Sequence, residues 1–557
     1  LFHLFELKSY DLKVSSRGKR LVSGQIVIVA ADEESLKEEG RWPWPRTILA
    51  RLVDRLTEAG AAVIGFDIFF PEKDTYVPFQ KVKQSIMEKD LTGLDRQTLI
   101  QWLEEASDSD RQFAESIMNS GRAVLGFFVH SSGAATAKTA PKLDPSVLEV
   151  LTFSEYSIVQ RFDDPKNPVP LRSIEAMGMS LPELTAAANA SGFVSFVPEV
   201  DGVIRRIPLV MQFQKGLYPP LSLQVLQQAT QVPLAVRIAP FGVDGVRLGD
   251  VVIPTSEAGD LLVNYYGPAH TFTHISATDV LSGKVGAEEL ENKIVLVGVT
   301  AAGAHDIHTS PYGPFFPGVE VHANIMENIL MGEYLMRPEW LAILDLAIIL
   351  ISGLLLGVVS LYFKAMAMAV ILIAGIAGYI SADYYMFSRM GLWVNTVFPI
   401  FTQIFVYSGI TLYKFIFEEK EKRFIKGAFS QYLAPAVVDQ LTANPGLLKL
   451  GGERKVLTAF FSDVVGFSSI SEKLSPEELV ELLNNYLSEM TDIIMKFEGT
   501  VDKFEGDAII AFFGAPIPHE DHARRACLVS LEMQERLGEL RQQWKQEKKP
   551  ELFMRIG

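Results

Sequence analysis

The chain has 557 residues, room for about three or four domains, and 48% of them are hydrophobic against 21% charged. A formal net charge of -16 leaves no basic stripe to neutralise phosphates, which excludes a general nucleic-acid binder. A single cysteine, Cys527, excludes an intrachain disulfide, so any part outside a cell must rely on an ordinary hydrophobic core.

Buried-strand candidates come first, at residues 26–30, 62–69, 123–128 and 293–299. Between the first two, residues 46–59 place Ile48, Leu49, Leu52, Val53 and Leu56 on one stripe and are followed by Gly60, so they read as a helix closed by glycine. Strand, helix and strand with continuous apolar strands imply a right-handed crossover and a parallel sheet covered on both faces. Residues 1–335 therefore read as a large α/β domain. Ligands of open parallel sheets gather at the carboxyl ends of strands. Asp32 and Asp67 fall there, with Arg46 opening the intervening helix, which makes the three a candidate ligand site. The alternative is structural: Asp67 caps a loop, and Trp42-Pro43 and Trp44-Pro45 pack a rigid turn. His305-Asp306-Ile307-His308 has metal-ligand spacing, but a surface loop before Pro311 explains it as well, because no third and fourth ligands cluster nearby in sequence.

Residues 340–363 carry one charge, Asp345, while 365–382 and 392–413 carry none. Each run is long enough to cross about 30 Å of hydrocarbon as a helix. Three spans are predicted within 338–417, at about 340–363, 365–385 and 392–414. Lys414, Lys420, Lys422, Arg423 and Lys426 follow the third span and mark the cytoplasmic side, which Lys364 shares. A loop at 383–389 and everything before the first span then lie outside; Arg337 and Arg389 count against this without reversing it. The expected location is the cell membrane, multi-pass, with the lipid bilayer as a partner. No span precedes residue 335, so an anchor helix before Leu1 is expected, and the chain reads as open at both ends. Residues 418–434 form an amphipathic helical run carrying Phe424, Ile425, Phe429, Tyr432 and Leu433, and Pro435 opens another helix through Leu441. The run pairs either with its counterpart in a second protomer or with its own neighbouring domain.

Residues 456–462 read as a short strand that delivers Asp463. Val464-Val465-Gly466-Phe467-Ser468 then turns into a helix whose free backbone N–H groups suit an anion such as a triphosphate. Ser475, Pro476 and Glu478 form a capping box opening a helix that extends to about Phe497. Two strands, 500–504 and 508–513, are joined through Glu505-Gly506-Asp507 as a hairpin. Asp507 at its tip and Asp463 alongside would repel each other without a cation between them, which is a hard-metal arrangement. On spacing alone it is one arrangement among many in a chain with 67 acidic residues.

Two sets of motifs resemble known families. Gly40-Arg41-Trp42-Pro43-Trp44-Pro45-Arg46, Ile64-Gly65-Phe66-Asp67, Asp201-Gly202-Val203-Ile204-Arg205-Arg206 and Pro317-Gly318-Val319-Glu320-Val321-His322-Ala323-Asn324 together resemble the type-2 CHASE sensor domain. That resemblance implies an extracytoplasmic sensor for an unspecified signal. Phe461-Ser462-Asp463-Val464-Val465-Gly466-Phe467-Ser468 and Asp502-Lys503-Phe504-Glu505-Gly506-Asp507-Ala508-Ile509-Ile510-Ala511-Phe512-Phe513-Gly514 resemble the two metal-binding signatures of class III nucleotide cyclases. The chain is thus expected to be a multidomain membrane protein: an α/β sensor, three transmembrane helices, a transducer at 418–450 and, over 451–557, the N-terminal half of an α+β, ferredoxin-like cyclase domain.

The cyclase resemblance also implies roles. Asp463, Asp507 and the Val464 carbonyl would hold two Mg2+ or Mn2+ ions, and Val465, Gly466, Phe467 and Ser468 would serve the phosphates. Lys503 would read the purine; guanylate cyclases resemble this motif but carry Glu there, so Lys503 favours ATP. Metals and lysine would come from opposite protomers of a homodimer with shared active sites. The asparagine and arginine that stabilise the transition state are expected beyond Gly557, so the 557-residue chain alone is expected to turn over nothing measurable. The implied activity is a receptor adenylate cyclase converting ATP to cyclic AMP and pyrophosphate. The rival readings are a non-catalytic dimerisation module and a guanylate cyclase.

Overall fold

The computed structural model describes residues 2–74, 108–131, 145–164, 166, 169, 171–301, 306–429 and 454–557. It falls into two units, Leu1–Tyr407 and Ser408–Gly557. The first unit opens with α1 (Phe2–Ser16), which the strand-and-span reading did not anticipate. Its signal is a spaced stripe, Leu7, Tyr10 and Val14, all buried. β1 (Ile26–Ala31) follows, then α2 (Glu33–Glu39), α3 (Arg46–Glu58), β2 (Val63–Phe66), α4 (Ser109–Ser120), β3 (Ala123–Ser131), β4 (Ile174–Gly178), β5 (Ala190–Phe193), β6 (Thr273–Ser276) and β7 (Ile294–Val299).

These strands form one sheet in the order β6-β1-β7-β2-β3-β4, with β5 also paired to β3. Every pairing is parallel except β3 with β4. β7, late in sequence, lies between β1 and β2, so the crossover through α3 skips one strand position. The sheet is covered on both faces, as its continuous apolar strands require. Val27, Val29 and Ala31 pack with Leu49, Leu52, Val53 and Leu56 of α3, while Ile26, Ile28 and Ala30 pack into the opposite core. The strand expected over 62–69 is shorter than predicted. The chain leaves the sheet after Phe66, and the Phe70 N–H donates to the Ser180 hydroxyl (3.0 Å) instead of to a ladder partner.

Beyond the sheet come β8 (Ile307–Ser310), β9 (Gly313–Pro317) and α5 (Gly318–Met331), then α6 (Trp340–Ser360), α7 (Ala365–Met390) and α8 (Val397–Phe429). Helices Trp340–Ser360, Ala365–Met390 and Val397–Phe417 are long and apolar enough to cross a membrane. The loop expected at 383–389 is helical instead, because its polar groups find partners. Asp383 accepts from Lys13 Nζ (3.1 Å) and the Thr396 hydroxyl (2.6 Å), and Phe387 stacks edge-on against Tyr10 at 5.6 Å. Gly391, at φ 67°, ends α7. The third helix begins at Val397 rather than 392. The intervening segment runs along the sensor, with the Met336 N–H on the Gly391 carbonyl (2.7 Å) and the Trp393 N–H on that of Met336 (2.9 Å). Glu6 caps α8 by accepting from the Thr396 and Val397 amides at 3.0 and 2.9 Å. α8 covers the connector helix as far as Phe429; Tyr432, Leu433, Pro435 and Leu441 lie outside the described residues.

The second unit contains β10 (Thr458–Val464), α9 (Phe467–Ser471), α10 (Pro476–Lys496), β11 (Thr500–Glu505), β12 (Ala508–Phe513), α11 (His522–Gln546) and β13 (Met554–Ile556). Its antiparallel sheet has the order β11-β12-β10-β13. Both halves of the capping box at Ser475 and Glu478 are formed, at 3.3 and 2.9 Å. Tyr486 and Met490 of α10 and Val529 and Met533 of α11 share a core with Phe460, Ile509 and Phe513 of the sheet, the expected α+β layering.

Candidate metal and nucleotide site

β10 and β12 are neighbours, with Ser462 opposite Ile509, so the next residue along β10, Asp463, arrives beside the turn that precedes β12. That turn is Gly506-Asp507, two residues between the paired Glu505 and Ala508, and Gly506 adopts φ 68°. The Val464 N–H donates to Asp507 Oδ2 (3.0 Å) and ties the tip to β10. Burial, with a contribution from the Asp463 charge, holds the Asp507 carboxyl above its ordinary range. Asp463 is 51% exposed, so the pair is reachable from solvent. Two carboxylates and the Val464 carbonyl are hard oxygen donors, and the excess negative charge fits a divalent ion such as Mg2+ or Mn2+.

Arg555 joins the site through the register of β13, where it lies opposite Asp463. Its guanidinium donates to Asp463 Oδ2 at 3.0 Å. Both side chains are more than half exposed, so the pair is worth at most ~1 kcal/mol and yields readily to a stronger cation. The sequence signal for this residue is its place in the apolar run Leu552-Phe553-Met554-Arg555-Ile556.

The loop after β10 has fewer free amides to offer an anion than predicted. Gly466 is the N-cap of α9 at φ 69°, and Phe467 and Ser468 occupy its first turn, whose amides have no intrahelical acceptor. Val465 is a correction: its N–H is occupied by the Phe553 carbonyl at 2.7 Å, which withdraws it from phosphate binding. Lys503 is an exposed residue of β11, beside a bulge, with its Nζ 3.0 Å from Glu505 Oε1. That hydrogen bond raises its pKa, so it is firmly cationic. An open groove of about 590 Å3 between α10 and α11, lined by Glu489, Lys496, Leu528 and Arg536 among others, includes none of these residues.

The three sensor residues do not form one site. Asp32 caps α2, accepting from the Ser35 amide (2.9 Å) and the Ser276 hydroxyl (2.8 Å). Arg46 is buried over the Phe70 ring and ion-paired with Asp110 of α4 at 3.3 Å. Asp67 faces His322 of α5 instead, at 3.8 Å. The tryptophan-proline segment packs as a rigid turn: Trp44 is buried, donates to the Gly40 carbonyl (2.9 Å) and meets Trp42 edge-on. Asp306 and His308 pair at 3.1 Å, and His305 lies outside the described residues.

Residues 1–359 match the CHASE2 domain family, and residues 453–557 match the adenylate and guanylate cyclase catalytic domain family. Adenylate cyclase 1 of Rhizobium meliloti (strain 1021) is 35% identical over 104 residues, 19% of this chain and 16% of that protein. Receptor-type guanylate cyclase gcy-28 of Caenorhabditis elegans is 33% identical over 120 residues, 20% of this chain and 9% of that protein. Matches thus span 16% and 9% of the length of these two relatives. The crystal structure of the guanylyl cyclase Cya2 is 44% identical, with 19% of this chain and 55% of that one covered at a TM-score of 0.19.

Proposed function

We propose that this chain, which belongs to the CHASE2 domain family and carries class III nucleotide cyclase sequence in its last hundred or so residues, acts as a transmembrane receptor adenylate cyclase. The observation that carries the reading is the Asp463–Asp507 pair, which sits beside Arg555 and the first turn of α9. Asp463, Asp507 and the Val464 carbonyl would hold two divalent ions. When bound, Mg2+ or Mn2+ lowers the pKa of the ribose 3′-OH and offsets charge on the triphosphate. The 3′ oxygen attacks the α-phosphorus in line and pyrophosphate leaves.

The chain's own residues orient this reaction. The Gly466, Phe467 and Ser468 amides receive phosphate oxygens at the start of α9. Arg555, weakly held by Asp463, swings to the triphosphate. Lys503 exchanges Glu505 for the adenine ring nitrogen, an acceptor where guanine presents a donor. Two copies share active sites, one supplying the aspartates and the other the lysine. The sensor lies outside the membrane and the cyclase in the cytoplasm, following the cations after the third span.

The test is product formation by the intact natural protein in membranes of a host without cyclases, with ATP or GTP and Mn2+. Cyclic AMP is expected. Asp463→Asn and Asp507→Asn should each remove several kcal/mol of transition-state stabilisation, at least about a hundredfold in rate. Cyclic GMP as the sole product, or no cyclic nucleotide from either substrate, would overturn the adenylate cyclase reading.

A further inference from the structure

The sensor unit brings Asp67 together with three metal-ligating side chains from a distant segment, Asp306, His308 and His322. Asp67 follows the carboxyl end of β2, Asp306 and His308 flank the start of β8, and His322 lies in the second turn of α5. His322 Nε2 is 3.8 Å from Asp67 Oδ1, and His308 Nε2 is 3.1 Å from Asp306 Oδ1. The two pairs adjoin one another: the Phe196 ring lies 5.0 Å from both imidazoles. Asp306 faces Asp67 closely enough to oppose its ionisation, and His308 does the same to His322. Asp306 also presses on the first residue of α5, where a Cβ on Gly318 would come within 2.5 Å of both carboxylate oxygens.

The cluster lacks partners. Asp67 and His322 are 4% and 1% exposed. Both ring nitrogens of His322, Asp67 Oδ2 and Asp306 Oδ2 are buried without a hydrogen bond among the described residues. One nitrogen of a neutral imidazole is a donor and the other an acceptor, so Asp67, Asp306 and His322 each keep a buried lone pair that no described donor meets, and the three call for a group that accepts lone pairs from all of them. Protein donors do not supply it, since 3.8 Å is too long for a hydrogen bond. In a tetrahedral site with bonds of ~2.0–2.1 Å, however, ligand atoms stand roughly 3.3 Å apart, close to both pair separations.

We propose that Asp67, Asp306, His308 and His322 form a binding site for a divalent transition-metal ion of the Zn2+ class. Two imidazoles and two carboxylates suit Zn2+, Co2+ or Ni2+ better than the all-oxygen preference of Mg2+ and Ca2+. Among the described residues no group of three or more His, Cys, Asp or Glu side chains is already arranged to hold a metal ion, so the ion joins two preformed pairs. It thereby clamps the β8 segment to β2 and to α5, the helix that leads into α6.

The test is Co2+ titration of the purified full chain in detergent, stripped with chelator and carrying Asp463→Asn and Asp507→Asn so that the cyclase aspartates contribute nothing. One Co2+ per chain is expected, with the visible d–d absorption of a four-coordinate ion that Zn2+ displaces. Asp67→Asn and His322→Gln should each weaken binding by more than about tenfold. Because these two positions are buried, His308→Gln, at a partly exposed position, is the control for folding and must weaken Co2+ as well. No stoichiometric binding, or binding equal to the parent chain in the folded His308→Gln variant, overturns the site.

Discussion

Arg205 shows how much charge this fold holds at a single residue. Its side chain is fully buried and is met by Asp11 (2.7 Å), Asp201 (2.8 Å) and Glu199 (3.0 Å). Lys8 adds a second cation to Asp201 at 3.1 Å. Replacing Arg205 with Met would leave three carboxylates facing one another, and removal of one partner of a buried pair typically costs about 3–5 kcal/mol. A large drop in the denaturant midpoint of the sensor is therefore expected. The Arg205 and Lys8 hydrogen bonds hold the Asp201 carboxyl well below the usual range. A depressed native pKa stabilises the fold above the unfolded value, about 3.9, and that stabilisation is lost as pH falls through the native value. Acid unfolding followed by circular dichroism should lose its part below about pH 4 when Asp201 is replaced by Asn. The Asp201-to-Arg206 motif was legible as a family signature, but its purpose as an ion cluster was not, because Asp11 and Lys8 reach it from α1.

At the scale of elements, strands and helices pack so closely in the sensor that glycine is obligatory at particular crossings. A Cβ on Gly192 of β5 would meet the backbone of Leu221 at 2.6 Å and of Pro220 at 2.8 Å. Backbone cannot rotate away, so Gly192→Ala should destabilise the sensor by at least the ~1–3 kcal/mol typical of overpacking, read as a lower melting temperature with spectra otherwise unchanged. The α3 stripe, the four apolar strands and the capping box at Ser475 were legible because helix period, apolar run length and cap chemistry are local. Placement of β7 between β1 and β2 was not, since nothing within those segments encodes which neighbour a parallel strand takes. The lower end of α7 was misread as a loop for a related reason: Asp383 and Arg389 look like solvent-facing charges until Lys13 of α1 is seen to pair with the first of them.

Over the whole molecule, one unit holds the mostly parallel sheet and the other the Asp463–Asp507 pair. The one cysteine supplies a native reporter of topology, because Cys527 is free and exposed on α11. A membrane-impermeant thiol reagent should leave it unlabelled in intact cells and label it after permeabilisation, while a cysteine placed at exposed Lys215 of the sensor should label in both; the reverse pattern would invert the proposed orientation. By itself the sequence determined the α/β class of the sensor, the three apolar helices and the placement of Asp463 and Asp507 at a strand end and a hairpin turn, all of which rest on run length, periodicity or contiguous motif. Only the tertiary structure decided that the Val465 N–H is taken by the Phe553 carbonyl, that Arg555 stands beside Asp463, and that Asp67 leaves Asp32 and Arg46 to meet His322. Those outcomes depend on strand register and on crossovers that join distant segments, and a backbone N–H or a buried carboxylate takes its partner from whichever segment the fold brings within hydrogen-bonding distance.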